Sequence, residues 1–299
     1  GDNIDTLSRV LLASDLAVQD KVGIFSTNSA KWTIADFASL QIRCVPVPIY
    51  PTSTSDQAAY ILKDAQVKIL FVGEQAQADI AISIAEHCPC LEKIVSFNDE
   101  VDFKGHPMGV KWDDFLALPI EDASFDVESE LKQRLLDVNM NDLMTLIYTS
   151  GTTGEPKGVM LDYANVAAQL KNHDQVLSLS QDDVSLCFLP LSHVFERCWT
   201  FYALHSGAIN CYLSDTNAVR EALQEVKPTV MCAVPRFYEK IYGAIHTKVA
   251  DANAVKKAIF HGALSVGNLM AEVKRQGKKP APWLSLCYNL RIKNIKQIA

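Results

Sequence analysis

Short apolar runs alternate with amphipathic stretches along most of this chain, and that alternation narrows the fold more than any other feature of the sequence. Residues 22–26 read as a short buried strand, and Asn28 or Ser29 is placed to cap a helix running to Arg43. A second extended run covers 45–50, where Pro46 and Pro48 put it at a sheet edge or a strand end. Thr54, Ser55 and Asp56 open a helix to residue 65. A strand at 68–72, a helix at 74–87 and a strand at 93–97 follow. Strand and helix in turn are the signature of βαβ units around a mostly parallel sheet. Segment 98–125 breaks the rhythm with Gly105, Pro107, Gly109 and Pro119, and reads as a surface excursion ahead of a helix at 127–136.

The rhythm resumes at 143–148. Further strands are expected at 184–189, 208–213 and 229–234, with helices at 163–177, 193–205 and 218–226. From Arg236 onward the pattern is almost wholly helical. The expected architecture is therefore α/β, with stacked, mostly parallel sheets and flanking helices. It divides into a subdomain at 1–140, holding the excursion, and another at 141–299, helical at its end. A length of 299 residues is enough for such a pair, and 48% hydrophobic against 21% charged residues excludes a disordered chain. A net charge of −7 argues against a nucleic-acid partner, which would normally be met by a basic protein. The eight cysteines include no C-x-x-C pair, and Cys88-Pro89-Cys90 is too tight for the usual metal spacing. They read as reduced, packed thiols in a cytoplasmic protein. No apolar run approaches the ~18–20 residues of a membrane span. The chain opens without Met on an amphipathic pattern and stops just after another, so both ends read as truncation points.

Thirteen glycines are few for this length, and three of them cluster in Tyr148-Thr149-Ser150-Gly151-Thr152-Thr153-Gly154-Glu155-Pro156-Lys157-Gly158-Val159. The segment follows a strand-like run and precedes a helix-like one. Gly151, Gly154 and Gly158 allow tight turns that aim backbone N–H groups inward. Thr149, Ser150, Thr152 and Thr153 add four hydroxyls, and Lys157 one point charge. That donor set suits a polyphosphate. The Walker-type loop G-x-x-x-x-G-K-[ST] fails here at two necessary positions: Pro156 replaces the Gly before the Lys, and Gly158 the Ser/Thr that would hold Mg²⁺.

The segment resembles the phosphate-binding signature [YF]-T-S-G-[ST]-T-G-x-P-K-G of the adenylate-forming enzymes, which include acyl-CoA synthetases, luciferases and peptide-synthetase adenylation domains. The resemblance implies the fold of their large N-terminal domain and a two-step reaction. A carboxylate attacks the α-phosphate of Mg-ATP to give an acyl-adenylate and pyrophosphate, and a thiol, usually that of coenzyme A, then displaces AMP. On this mapping Thr149, Ser150, Gly151, Thr152, Thr153 and Gly154 cradle the β- and γ-phosphates. Lys157 is a catalytic residue that neutralises the leaving pyrophosphate.

Two further segments resemble the long-chain branch of that family. Leu189-Pro190-Leu191-Ser192-His193-Val194-Phe195-Glu196-Arg197 is similar to its L-P-L-x-H-x-x-E-R stretch. This implies that His193 is catalytic and lies near the reacting carboxylate. Read alone, a His at a helix start is more often a cap or a core residue. Glu196 and Arg197 do not face one another on a helix and read as two separate salt bridges. Ala233-Val234-Pro235-Arg236-Phe237-Tyr238-Glu239-Lys240 is similar to the V-P-R-x-x-E-K stretch near the fatty-acid tunnel. There Arg236 is a candidate partner for an anionic group, beside the plainer reading of a helix start with Pro235 in its first turn. Phe195 and Trp199 are candidate walls of the acyl site. Residues 45–55, with Pro46, Pro48 and Pro51, resemble the family's V-P-x-x-x-T region and read as scaffold.

The implied activity is that of an AMP-forming long-chain fatty-acid–CoA ligase, with ATP, Mg²⁺ and coenzyme A as cofactors or co-substrates. Peripheral attachment to a membrane is compatible with its substrate. The alternatives are a ligase for a medium-chain or aromatic acid, or a nucleotide- or lipid-binding module without chemistry. The family's Y-G-x-T-E segment, whose Glu holds Mg²⁺, does not occur, so no metal ligand is assigned. No residue matches the ribose-binding Asp, and the small C-terminal catalytic domain is absent. The chain therefore reads as the larger part of an N-terminal domain that does not complete adenylation alone.

Overall fold

The computed structural model describes residues 1–121, 123–149 and 155–296, with side chains described to residue 289. The chain packs as two units, Gly1–Cys232 and Ala233–Ala299.

The first unit begins α1 (Asp2–Ala13), β1 (Lys21–Phe25), α2 (Ala30–Gln41), β2 (Val45–Ile49), α3 (Ser55–Ala65), β3 (Val67–Val72), α4 (Gln75–Ile84) and β4 (Lys93–Ser96). Then come β5 (Gly109–Lys111), α5 (Trp112–Leu116) and α6 (Val127–Leu136). The strands form one five-stranded sheet in the order β2-β1-β3-β4-β5, and every pairing is parallel. Central parallel strands are covered on both faces, which is why residues 69–72 of β3 read as an unbroken apolar run. Its side chains alternate between two cores. Ile69 and Phe71 meet Leu7, Leu11, Trp32 and Phe115 on the face of α1, α2 and α5. Leu70 and Val72 meet Ile61, Leu62, Ala78 and Ala81 on the face of α3 and α4. The helix starts obey their caps: Ser29 accepts from the Trp32 amide, and Thr54 with Gln57 forms a capping box. β2 lies at the edge of the sheet, where Pro46 and Pro48 are tolerated.

Segment 98–125 is more than a surface excursion. Its β5 extends the sheet, Trp112 and Phe115 are buried against Phe71, and Val101 and Phe103 are buried on the opposite face. A three-residue strand and a five-residue helix are too short to declare a period, so the turn formers dominate the reading.

The first unit continues with β6 (Leu143–Thr149), β7 (Lys157–Asp162), α7 (Tyr163–Val176), β8 (Val184–Cys187), α8 (Val194–His205), β9 (Ile209–Tyr212) and α9 (Val219–Val226). β6 and β7 pair antiparallel, and β8 and β9 parallel. The strand expected at 229–234 is reduced to a single bridge between Ser185 and Val230. Lys227 in the left-handed region (φ 49°) and prolines at 228 and 235 leave too little extended backbone for a ladder.

The second unit is helical among its described residues: α10 (Pro235–Ala250), α11 (Ala254–Arg275) and α12 (Pro282–Lys296). Its small core holds Phe260, Ala263, Met270 and Leu284, with His246 edge-on to Phe260 at 5.5 Å. Among the described residues no helix is long and apolar enough to cross a membrane. All eight cysteines are free, and burial pushes the Cys44 and Cys232 thiols up to about 12, which makes them poor nucleophiles at neutral pH.

Candidate functional site

The glycine- and hydroxyl-rich loop joins two antiparallel strands. Thr149 and Lys157 are partners in the ladder, as are Tyr148 and Gly158, so the loop closes a hairpin. Both Thr149 and Lys157 are exposed at its mouth. Ser150, Gly151, Thr152, Thr153 and Gly154 lie outside the described residues. The helix expected at 163–177 is α7, which starts at Tyr163, and the strand between loop and helix, β7, is the element that the sequence pattern does not declare. At the start of α7 Asp162 accepts from the Asn165 amide at 2.7 Å. Only six residues, 157–162, separate loop from cap, and their apolar run at 159–161 merges with the helical pattern behind it. A Walker-type loop delivers its phosphates to a helix N-terminus, so the hairpin removes that reading a second time.

The hairpin stem is anchored below its mouth. The Tyr148 hydroxyl donates to the Asp64 carboxylate of α3 at 2.5 Å, and its ring stands edge-on to Tyr60. Burial, reinforced by Asp64, pushes the Tyr148 hydroxyl well above its ordinary range, so it stays a donor. Gly158 leaves room for this ring: a Cβ there would lie 3.1 Å from Tyr148 Cζ, so the ring would have to give by a few tenths of an ångström. Gly158→Val is therefore expected to push the ring off Asp64 and cost about 1–3 kcal/mol. Denaturant unfolding checks this, and an unchanged midpoint would show that the ring has room to move.

His193 ends the turn between β8 and α8. It is the N-cap of α8, with Nδ1 accepting from the Phe195 amide at 3.1 Å, and it is exposed. In the neutral ring the proton then sits on Nε2. The turn that carries His193 is held by two buried side chains. Asn28 donates to the Leu189 carbonyl at 2.8 Å and accepts from the Leu191 amide at 2.9 Å. Glu196 accepts from the Leu189 amide at 3.3 Å. Sequence reading considered Asn28 only as a cap, which Ser29 supplies instead.

The expected pair of salt bridges at 196 and 197 is half right. Glu196 is fully buried, and among the described residues it has no cationic partner. Burial pushes its carboxyl up to about 8, against the pull of Cys187 and the Leu189 amide. The native state thus binds a proton that the unfolded chain has released between roughly pH 4.5 and 8. Stability should fall as pH rises through that window and level off above it. Glu196→Gln is expected to flatten this slope, so that it gains on the wild type by up to a few kcal/mol at pH 9 relative to pH 5. Unfolding curves at both pH values test it, and parallel losses in the two proteins would count against a neutral Glu196.

Arg197 does form a salt bridge. Its guanidinium makes a bidentate pair with Asp36 of α2, with Nε donating to Oδ2 at 2.9 Å and Nη2 to Oδ1. Nη1 donates to the Thr145 hydroxyl of β6 at 2.5 Å, and that hydroxyl donates to the Pro46 carbonyl of β2 at 2.7 Å. The rings of Trp32 and Phe201 cover the charge. Burial drives the Asp36 carboxyl upward, while the charge and hydrogen bonds of Arg197 oppose it. Through this contact the hairpin and the His193 turn belong to one construction. Thr145 stands four residues before Thr149 on β6, and Arg197 four after His193 on α8. Neither Asp36 nor Thr145 was singled out from the sequence.

Phe195 is 48% exposed beside His193, and Trp199 follows one helical turn later. Trp199 is half-buried, donates Nε1–H to the Ser185 hydroxyl at 3.0 Å and packs on Tyr202. Arg236 belongs to the second unit, exposed in the first turn of α10 behind Pro235, in the manner of an ordinary helix start.

Comparison with known proteins places this architecture. The chain is 34% identical over 236 residues to the long-chain-fatty-acid–CoA ligase FadD15 of Mycobacterium bovis, covering 78% of this chain and 37% of that protein. It is 31% identical over 278 residues to long chain acyl-CoA synthetase 4 of Arabidopsis thaliana, covering 88% of this chain and 40% of that one. It thus spans less than half the length of these relatives. ATP-bound MatB from Rhodopseudomonas palustris shares the fold, with a TM-score of 0.62 at 22% identity over 80% of this chain and 44% of that one. The family model described as AMP-binding enzyme matches residues 1–285, and with that extent of match the chain belongs to the AMP-binding enzyme family.

Proposed function

We propose that the polypeptide carrying this chain is an AMP-forming long-chain fatty-acid–CoA ligase. It activates a fatty acid with ATP to an acyl-adenylate and then passes the acyl group to coenzyme A. The observation that carries this reading is the hairpin mouth. Thr149 and Lys157 face each other there, at the two ends of a loop whose sequence is a set of hydroxyls and small residues. The similarity to two relatives named for long-chain acids supports the substrate class.

The donor set fits the triphosphate of ATP: neutral hydroxyls and backbone amides hold it, and one ammonium answers the charge that grows on the leaving pyrophosphate. Among the described residues no group of three His, Cys, Asp or Glu is placed to hold a metal ion, and Mg²⁺ would come to the site on the phosphates of ATP. His193, capped through Nδ1, presents Nε2–H as a donor for the fatty-acid carboxylate. Phe195 and Trp199 lie on the same side of α8 and offer apolar surface to the acyl chain. Arg236 is proposed as a contact for an anionic group of the substrates. A cytoplasmic protein that meets its substrate at a membrane surface is consistent with the lipid chemistry.

The test is the product of the full-length polypeptide with ATP and a panel of acids. AMP and pyrophosphate with a C16 acid support the proposal. AMP formed only with shorter or aromatic acids moves the substrate class, ADP and phosphate refute the reaction, and binding without turnover favours a module without chemistry.

A further inference from the structure

We propose that Asn28 is a positioning residue for His193, acting through the turn that links β8 to α8. The inference rests on the reading of His193 as a contact for the carboxylate substrate. Asn28 is 8% exposed and lies just before the N-cap of α2. Its side-chain amide reaches backbone groups 161 and 163 residues further along the chain. Both ends of the amide are used: Nδ2 donates to the Leu189 carbonyl and Oδ1 accepts from the Leu191 amide. Between those two residues stands Pro190, which has no N–H to give. The turn therefore offers one acceptor and one donor on either side of a proline, and a carboxamide matches that pair. An ionised carboxylate would lose the donor, and an apolar side chain would lose both.

Two further backbone groups of the turn are also tied. The Leu189 amide goes to Glu196, and the His193 amide donates to the Pro190 carbonyl at 2.9 Å. His193 is two residues beyond Leu191, so any freedom of the turn becomes freedom of the imidazole. Leu191 is itself buried in the core on the α1 and α2 face of the sheet, so its side chain and its bonded amide fix the turn together. A displacement of about 1 Å in a positioned group is enough to cost on the order of 10²-fold in rate. The bonded pair at Leu189 and Leu191 is thus expected to appear in catalysis as well as in stability.

The experiment is a double-mutant cycle on the full-length polypeptide, following acyl-adenylate formation in single turnovers with saturating ATP. Asn28→Ala is expected to slow adenylation at least tenfold and to raise the KM for the acid more than that for ATP. In a His193→Ala background the same change should have less than a twofold effect, because the group it positions is gone. Asn28→Asp keeps size and acceptor and loses one bond, so it should fall between wild type and Asn28→Ala. It also carries the cycle if Asn28→Ala does not fold. Ser29→Ala removes the cap of the same helix start without touching the turn, and its adenylation rate should stay within twofold of wild type. Equal penalties for the Asn28 changes in both backgrounds would overturn the inference and leave a structural role only. If His193→Ala itself adenylates normally, the reading of His193 falls, and this inference with it. The two failures are distinguished by the single His193 variant.

Discussion

Lys157→Ala in the full-length polypeptide is expected to slow acyl-adenylate formation by about 10²- to 10³-fold while leaving the affinity for the fatty acid nearly unchanged. Lys157 is the one cation in the segment 148–159, and the fold puts it at the mouth of the hairpin, opposite Thr149 and exposed. The loop's other donors are neutral. Because a strand, β7, follows the loop, the first described element behind it brings no helix N-terminus to add positive potential. Negative charge increases on the leaving pyrophosphate as the bond to the α-phosphate breaks, so an ammonium there is worth more in the transition state than in the ground state. The loss should therefore fall on the rate. Lys157→Arg should recover part of it, since the charge is kept but its shape and reach differ. Single-turnover pyrophosphate release, beside equilibrium binding of the acid, measures both quantities. A parallel fall in rate and in acid affinity would mean that the residue supports the fold of the site and not the charge shift.

Arg197→Met should destabilise the protein by about 3–5 kcal/mol, the cost of leaving a buried carboxylate without its partner. Asp36 and Arg197 are both almost fully buried, so no water can replace the lost guanidinium without opening the core. The Thr145 hydroxyl loses a donor in the same step. Methionine fills much of the volume, which isolates the electrostatic part of the change. Adding Asp36→Leu should restore most of the stability, because an apolar pair of similar volume needs no compensation. Denaturant midpoints of the two single variants and the double variant decide it. A loss under about 1 kcal/mol for Arg197→Met would show that the carboxyl neutralises itself by taking a proton.

The order of strands and helices in the first hundred residues was legible because each signal there is local. Ile69 to Val72 is an unbroken apolar run, Ser29 and Thr54 are good caps, and the prolines at 46 and 48 mark an edge. Local signals failed where the elements are short, as at β5 and α5, or where two patterns abut, as where β7 runs into α7. The loop residues and His193 were legible as a pattern of side chains. The residues that hold them in place were not. Asp36 meets Arg197 across 161 positions and Thr145 meets it across 52, and no spacing rule links such pairs. Glu196 misled for a related reason: a Glu beside an Arg suggests charge, whereas burial is what sets its proton.

The contact of Arg197 with Asp36, Thr145 and, through Thr145, Pro46 also bears on how the protein comes apart. Four segments, α2, β2, β6 and α8, share this one buried junction. A fluctuation that frees α2 or α8 leaves a buried charge without its partner, and one that frees β6 or β2 leaves a buried hydrogen-bonding group unmet, so opening any one segment loosens the rest. Amide exchange in β6 and α8 should therefore proceed as a single event, at one free energy. In those terms loss of activity and loss of fold become the same transition. A damaged molecule would leave the working population whole, without lingering as a form that still grips nucleotide but has lost the histidine turn.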